Sequence, residues 1–148
     1  MGGFFILHFY HLLSYTNMIR LVLGTNVKVD LTLTEKTTIA NPTYLFEFIN
    51  NQGLAKVYCI CADTSLYPLR YNRFTIVVKA SGAVALSGEI NLTIGDEYTY
   101  NVYAQTSTTN LNPLLADETV ESGYMTYDKS MTSRNEYENI TTRKVYEK

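Results

Sequence analysis

Apolar and polar residues take turns along most of this chain. Val27, Val29, Leu31 and Leu33 alternate with Lys28, Asp30, Thr32 and Thr34, the period-two pattern of a strand with one buried face. Asn41-Pro42 then breaks the run, because proline has no ladder donor and biases its predecessor to an extended conformation. In the next segment, TYLFEFI (43–49), Tyr44, Phe46 and Phe48 share one face and Leu45, Glu47 and Ile49 the other. Asn50-Asn51-Gln52-Gly53 predicts a hairpin-like turn in which Asn and Gly supply positive φ, with LAKVYCICA (54–62) returning antiparallel. RYNRFTIVVK (70–79), EINLTI (89–94), EYTYNVYAQ (97–105) and TVESGYMTY (119–127) are further strand segments between turn residues. Between the last two, TSTTNLNPLLADE (106–118) predicts a long loop whose Leu111, Leu114 and Leu115 fold over one end of the domain. Seven or eight short strands in about 110 residues, with no sustained helical spacing after the N-terminal stretch, predict an all-β antiparallel sandwich.

One motif narrows that expectation. In Leu92-Thr-Ile-Gly95-Asp-Glu-Tyr98, a leucine six residues and a glycine three residues before a strand-opening tyrosine resemble the tyrosine corner of fibronectin type III and related immunoglobulin-like sandwiches. Gly95 would permit the tight turn and Leu92 plug the core below it. Tyr98 would bury its ring while its hydroxyl satisfies a backbone group a few residues upstream. The bland alternative is a tyrosine-rich strand with coincidental spacing. The expectation is an immunoglobulin-like (fibronectin type III-like) β-sandwich of about seven or eight strands.

Composition then removes function classes. Lys and Arg number 12 against 14 Asp and Glu, a net charge of −2, so the chain lacks the basic excess that phosphate backbones require and no nucleic acid is expected as partner. With 148 residues it fits a single domain that folds without metal or disulfide staples. Cys59 and Cys61 are separated by one residue in a strand, so both thiols point to one face at a spacing close to the upper limit for a disulfide. With no other cysteine, and both histidines (His8 and His11) in the opening stretch, neither a metal site nor a nucleophilic triad can be assembled. Glu47, Asp63, Glu89, Asp96 and Glu97 show no spacing that marks two of them as a catalytic pair; strand-exposed Glu and turn Asp are the ordinary explanation. No catalytic, metal-binding or cofactor-binding residue is therefore assigned, and no cofactor or enzymatic activity is expected. The candidate contact surface is Tyr67, Arg70, Tyr71 and Arg73, two Arg and two Tyr around a turn, a composition suited to protein interfaces and to sugar stacking. Against this stands the plainer reading of Tyr71 as a core or rim residue and of both arginines as solvated strand ends.

The ends of the chain differ from its middle. Residues 1–17, MGGFFILHFYHLLSYTN, carry no formal charge from side chains and read four ways: a start-site extension ahead of Met18, an arm packing on the domain or a neighbour, a secretory signal lacking its basic region and cleavage site, or a membrane helix too short to span. Residues 18–128 form the sandwich domain and 129–148 a polar tail in which 140–146 alternates weakly, as a segment able to pair with a neighbouring chain would.

Several runs together carry a family resemblance: Met18-Ile-Arg-Leu, VDLTLTEKTT, NPTYLFEFIN, Arg70-Tyr-Asn-Arg-Phe-Thr, GDEYTYNVYAQTSTTNL and VESGYMTY. From Met18 to about Tyr127 the chain resembles small virion-associated proteins of tailed phages infecting Bacteroidetes, including crAss-like phages. The resemblance implies a non-enzymatic structural protein of the head, neck or tail, present in the virion after assembly in the host cytoplasm. Its partners would be other virion proteins or further copies of itself, with no membrane involved. Family members begin at the position of Met18, leaving 1–17 without a counterpart, and the last 20 residues also fall outside the pattern. The alternative from another class is a secreted carbohydrate-binding or adhesin-type sandwich, for which a glycan would be the ligand.

Overall fold

The alternation closes into two sheets. The computed structural model describes residues 18–92 and 97–128, and within them eight strands: β1 (Ile19–Val22), β2 (Asn26–Leu31), β3 (Thr43–Asn50), β4 (Lys56–Cys61), β5 (Asn72–Val78), β6 (Glu89–Ile90), β7 (Glu97–Gln105) and β8 (Glu118–Asp128). The fold is all-β. Its described helices are single 3-10 turns at Thr34–Lys36, Ala85–Ser87 and Pro113–Leu115. One sheet has five strands in the order β1-β8-β7-β3-β4 and the other has three, β2-β5-β6.

Pairing is antiparallel for β2–β5, β3–β4, β3–β7 and β7–β8, as the hairpin-like spacing predicts, but parallel for β1–β8 and β5–β6. A wholly antiparallel arrangement therefore does not form. β1 is only four residues long and packs Ile19 and Leu21 into the core by lying alongside the end of β8. The expected strand over 89–94 is paired only at Glu89–Ile90, and 93–96 lie outside the described residues.

β3 lies between β4 and β7 and is buried on both faces. Tyr44, Phe46 and Phe48 face the second sheet, and Leu45 and Glu47 on the opposite face are also buried. Phe74 of β5 meets Tyr44 and Phe46 edge-on at ring separations of 5.6 and 5.0 Å, so aromatic contacts join the two sheets. Residues on β5 and β7 alternate between buried and partly exposed along nearly their whole length, the signature that made them legible.

Three local expectations change. Asn41, expected extended before Pro42, has φ of 50°, a left-handed conformation that asparagine tolerates better than most residues. In the β3–β4 turn the positive φ falls on Leu54 (59°) and not on the asparagines or Gly53. There Asn50 contributes its side chain, whose Oδ1 accepts from the backbone N–H groups of Gln52 and Gly53. Leu114 and Leu115 do not fold over the core: they are 89% and 71% exposed, while Leu111 is half-buried.

β8 carries a bulge, with Val102 opposite Glu121 and Tyr103 opposite Thr119. The extra residue, Val120, lets two successive side chains, Val120 and Glu121, be buried together. Two residues on, Gly123 is required by packing: a Cβ there would stand 2.7 Å from the Tyr100 ring, so only glycine leaves room for that tyrosine.

Candidate interaction surface

Three long connections leave the same end of the sandwich. They are β2–β3 (32–42), β4–β5 (62–71) and β7–β8 (106–117). β3 begins opposite the ends of β4 and β7, and β5 begins opposite the end of β2, which brings these connections together. Their backbone polar groups are satisfied by buried amides. Asn72, 1% exposed, accepts from Leu33 N (2.7 Å) and Thr34 N (3.1 Å) and donates to Thr34 Oγ1 (2.9 Å) and Asp63 Oδ2 (2.7 Å). One side chain thus joins two connections to β5. Gln105 at the end of β7 braces only the connection that follows it, donating to the carbonyls of Ser107 and Asn110 and accepting from the Asn110 amide. Asn112 then accepts from Leu114 N, capping the turn that begins at Pro113.

Carboxylates complete the frame. Asp63 Oδ1 accepts from Ser65 N and Arg73 N, and Asp117 from Thr106 N. Glu118 accepts from the backbone and hydroxyl of Thr38 at 2.7 and 2.9 Å, and these bonds, the backbone one first, hold its carboxyl below its ordinary value. The polar groups of these segments turn inward on each other; Leu33 is buried in the core, while other apolar side chains here and in the neighbouring Ala85–Ser87 turn project into water. Leu66, Tyr67, Leu69, Leu86, Leu114 and Leu115 are six of the eleven exposed large apolar side chains among the described residues, and all lie at or beside this end. Between the connections is a cleft of about 420 Å³, reached from Pro42, Ile60, Asp63, Leu86 and Thr108.

The four predicted contact residues divide into two pairs. Tyr67, 62% exposed, and Arg70 stand out from the β4–β5 turn, which is closed by bonds from Arg70 N and Tyr71 N to Tyr67 O. Tyr71 and Arg73 are half-buried: the Arg73 guanidinium grips Asp30 of β2 through two bonds of 2.7 and 2.8 Å and lies 5.2 Å from the Tyr71 ring centre. That grip holds the Asp30 carboxyl below its ordinary value. The leucines beside Tyr67 were the missed part of the surface. Their signal was present as apolar residues inside segments that otherwise read as turns.

Of the tyrosine-corner residues, Leu92 is at the core boundary and Tyr98 is buried, its hydroxyl taking an N–H of Asn50 at 3.4 Å; Gly95 lies outside the described residues. Cys59 and Cys61 are both buried and free, with sulfurs 3.7 Å apart. The hydrogen bond between them, and then burial, raise the Cys59 thiol well above its ordinary value, the opposite of what a nucleophile or metal ligand needs.

Two carboxylates depart from the expectation of exposed strand positions or carried no expectation. Glu47 is buried on the outer face of β3, accepting from Asn101 and from the Tyr103 hydroxyl at 2.8 Å each, with Lys56 at 3.9 Å. Burial first, and then Glu47, push the Tyr103 hydroxyl up to about 12. Glu121 faces inward, paired with Lys36 and next to the Tyr100 hydroxyl, whose ionisation is strongly opposed by burial and by that carboxylate. Among the described residues no group of three or more His, Cys, Asp or Glu is placed to hold a metal ion, and no helix is long and apolar enough to cross a membrane. Compared with family models, curated proteins and solved structures, the chain finds no match.

Proposed function

We propose that this chain is a non-enzymatic structural component of a tailed-phage particle, in its head, neck or tail, and that it works by protein–protein assembly. The observation that carries the reading is the loop end: a hydrogen-bonded scaffold holds several large apolar side chains in water, where their burial by a partner would drive association. The sequence resemblance to virion-associated proteins of Bacteroidetes phages supplies the particle. An immunoglobulin-like sandwich is the finer reading of the fold. The order β8-β7-β3-β4 matches strands G, F, C and C′ of a variable-type sandwich, and β2-β5 matches B and E, while the parallel β5–β6 pair departs from that plan.

Antibody raised against residues 18–128 is expected to label gradient-purified particles. Protein confined to the soluble fraction of a lysate would overturn the reading. The exposed Tyr67 ring favours one other reading, a secreted glycan-binding module. That reading requires glycan binding that disappears in Tyr67→Ala.

A further inference from the structure

We infer that the loop end is a self-complementary surface on which two copies of this chain pair about a two-fold axis. The inference names a partner within the assembly reading proposed above and rests on it. A two-fold contact places one patch against itself, so the patch must contain both projections and a recess to receive them. This end contains both. Leu66 and Leu114 project at 84% and 89% exposure from the connections whose Asp63 and Thr108 line the adjoining cleft of about 420 Å³. Projection and recess are held by the same hydrogen-bonded segments, so little ordering remains to be done on pairing.

Charge supports the same partner. Asp63, Asp117, Glu118, Lys36 and Arg73 at this end are engaged within the molecule. Among the described residues, Glu35, in the turn between β2 and β3, and Arg70, in the β4–β5 connection, form no ion pair or side-chain hydrogen bond. The surface therefore offers one free negative and one free positive charge, which a two-fold axis sets against each other twice. An anionic lipid surface or a nucleic acid would call for a basic rim, whereas Lys36 and Arg73 at this end are already paired with Glu121 and Asp30.

Sedimentation equilibrium on the full chain tests the pairing. A concentration-dependent dimer is expected, weakened about tenfold or more by Leu114→Asp or Leu66→Asp, with the melting temperature unchanged at concentrations low enough for the monomer to predominate. Arg70→Glu and Glu35→Arg are each expected to weaken it, and the double reversal to restore it. A monomer at every accessible concentration overturns the pairing, as does a dimer indifferent to both leucine substitutions or a double reversal weaker than either single one. A monomer that sediments with neutral phosphatidylcholine vesicles overturns it in favour of a membrane surface. The two proposals fail separately: a monomer found in purified particles removes the pairing alone, and a dimer absent from particles removes the virion role alone.

Discussion

At one end of the sandwich β3 turns into β4 within a few residues around Asn50; at the other, three long connections are organised by Asn72 and Gln105. Both ends solve the same problem, the satisfaction of backbone groups where ladders stop, and both use a buried amide. They differ in reach. Asn50 serves a turn next to itself, whereas Asn72 bonds residues 38 positions away in the chain. At the short end the amide finishes a hairpin. At the long end it holds segments that bury some apolar side chains, Leu33 among them, and expose others, Leu66 and Leu114 among them, so stability and surface chemistry are carried there by different residues.

The largest expected effect breaks that contrast directly. Asn72→Ala leaves two backbone N–H groups and the Asp63 carboxylate short of a partner, and about 3 kcal/mol should be lost in urea unfolding. Asn50→Ala, which frees neighbouring turn donors and a tyrosine bond, should lose about 1–2 kcal/mol by the same measurement. Equal losses would show that reach does not matter.

Leu54→Gly tests the short end from the other side. Leu54 is 70% exposed at a φ of 59°, so glycine removes strain and little packing, and a gain of about 0.5–1 kcal/mol is expected. Acid sharpens the contrast at the long end. Glu118 has a depressed native value, so its contribution is present above its ordinary value of 4.5 and is lost as pH falls through the lower folded value. The protection factor of Thr38 N, exchange relative to the intrinsic rate at each pH, should therefore fall over that range, and Glu118→Gln should remove that fall. Smallest of all, Leu114→Ser should change unfolding free energy by less than about 0.5 kcal/mol, because the side chain touches mainly water. A larger loss would mean that the leucine does pack.

Where the sequence was legible, alternation was uninterrupted. β7 occupies the segment its pattern predicts, Glu97–Gln105, and the inward face of β2 continues past the strand to a fully buried Leu33. β8 also occupies its expected segment, but its inward face was not legible, because that face includes Glu121 and Gly123, a charge and a missing side chain, and because the bulge at Val120 shifts the period. β1 is too short to show a period, and parallel pairing with β8 leaves no turn signal between neighbours. At the loop end, Tyr67 and Arg70 stand exposed where the sequence placed a candidate contact surface, whereas Arg73 is committed to Asp30 across the strand pair. Leu114 and Leu115 were misread because leucine ordinarily argues for burial; their exposure depends on the Asn110 and Asn112 bonds that hold the loop backbone in place. Asn72 resembled any turn-forming asparagine, since its partners are distant in the chain.

Gly123 gives the interior a veto over the surface. One methyl group added to β8 would displace the Tyr100 ring, and with it the hydroxyl beside Glu121, the carboxylate that anchors Lys36. Lys36 belongs to the turn that also presents Glu35. A single methyl group, hidden in the middle of a strand and neutral in charge, would therefore be felt in the outer β2–β3 connection.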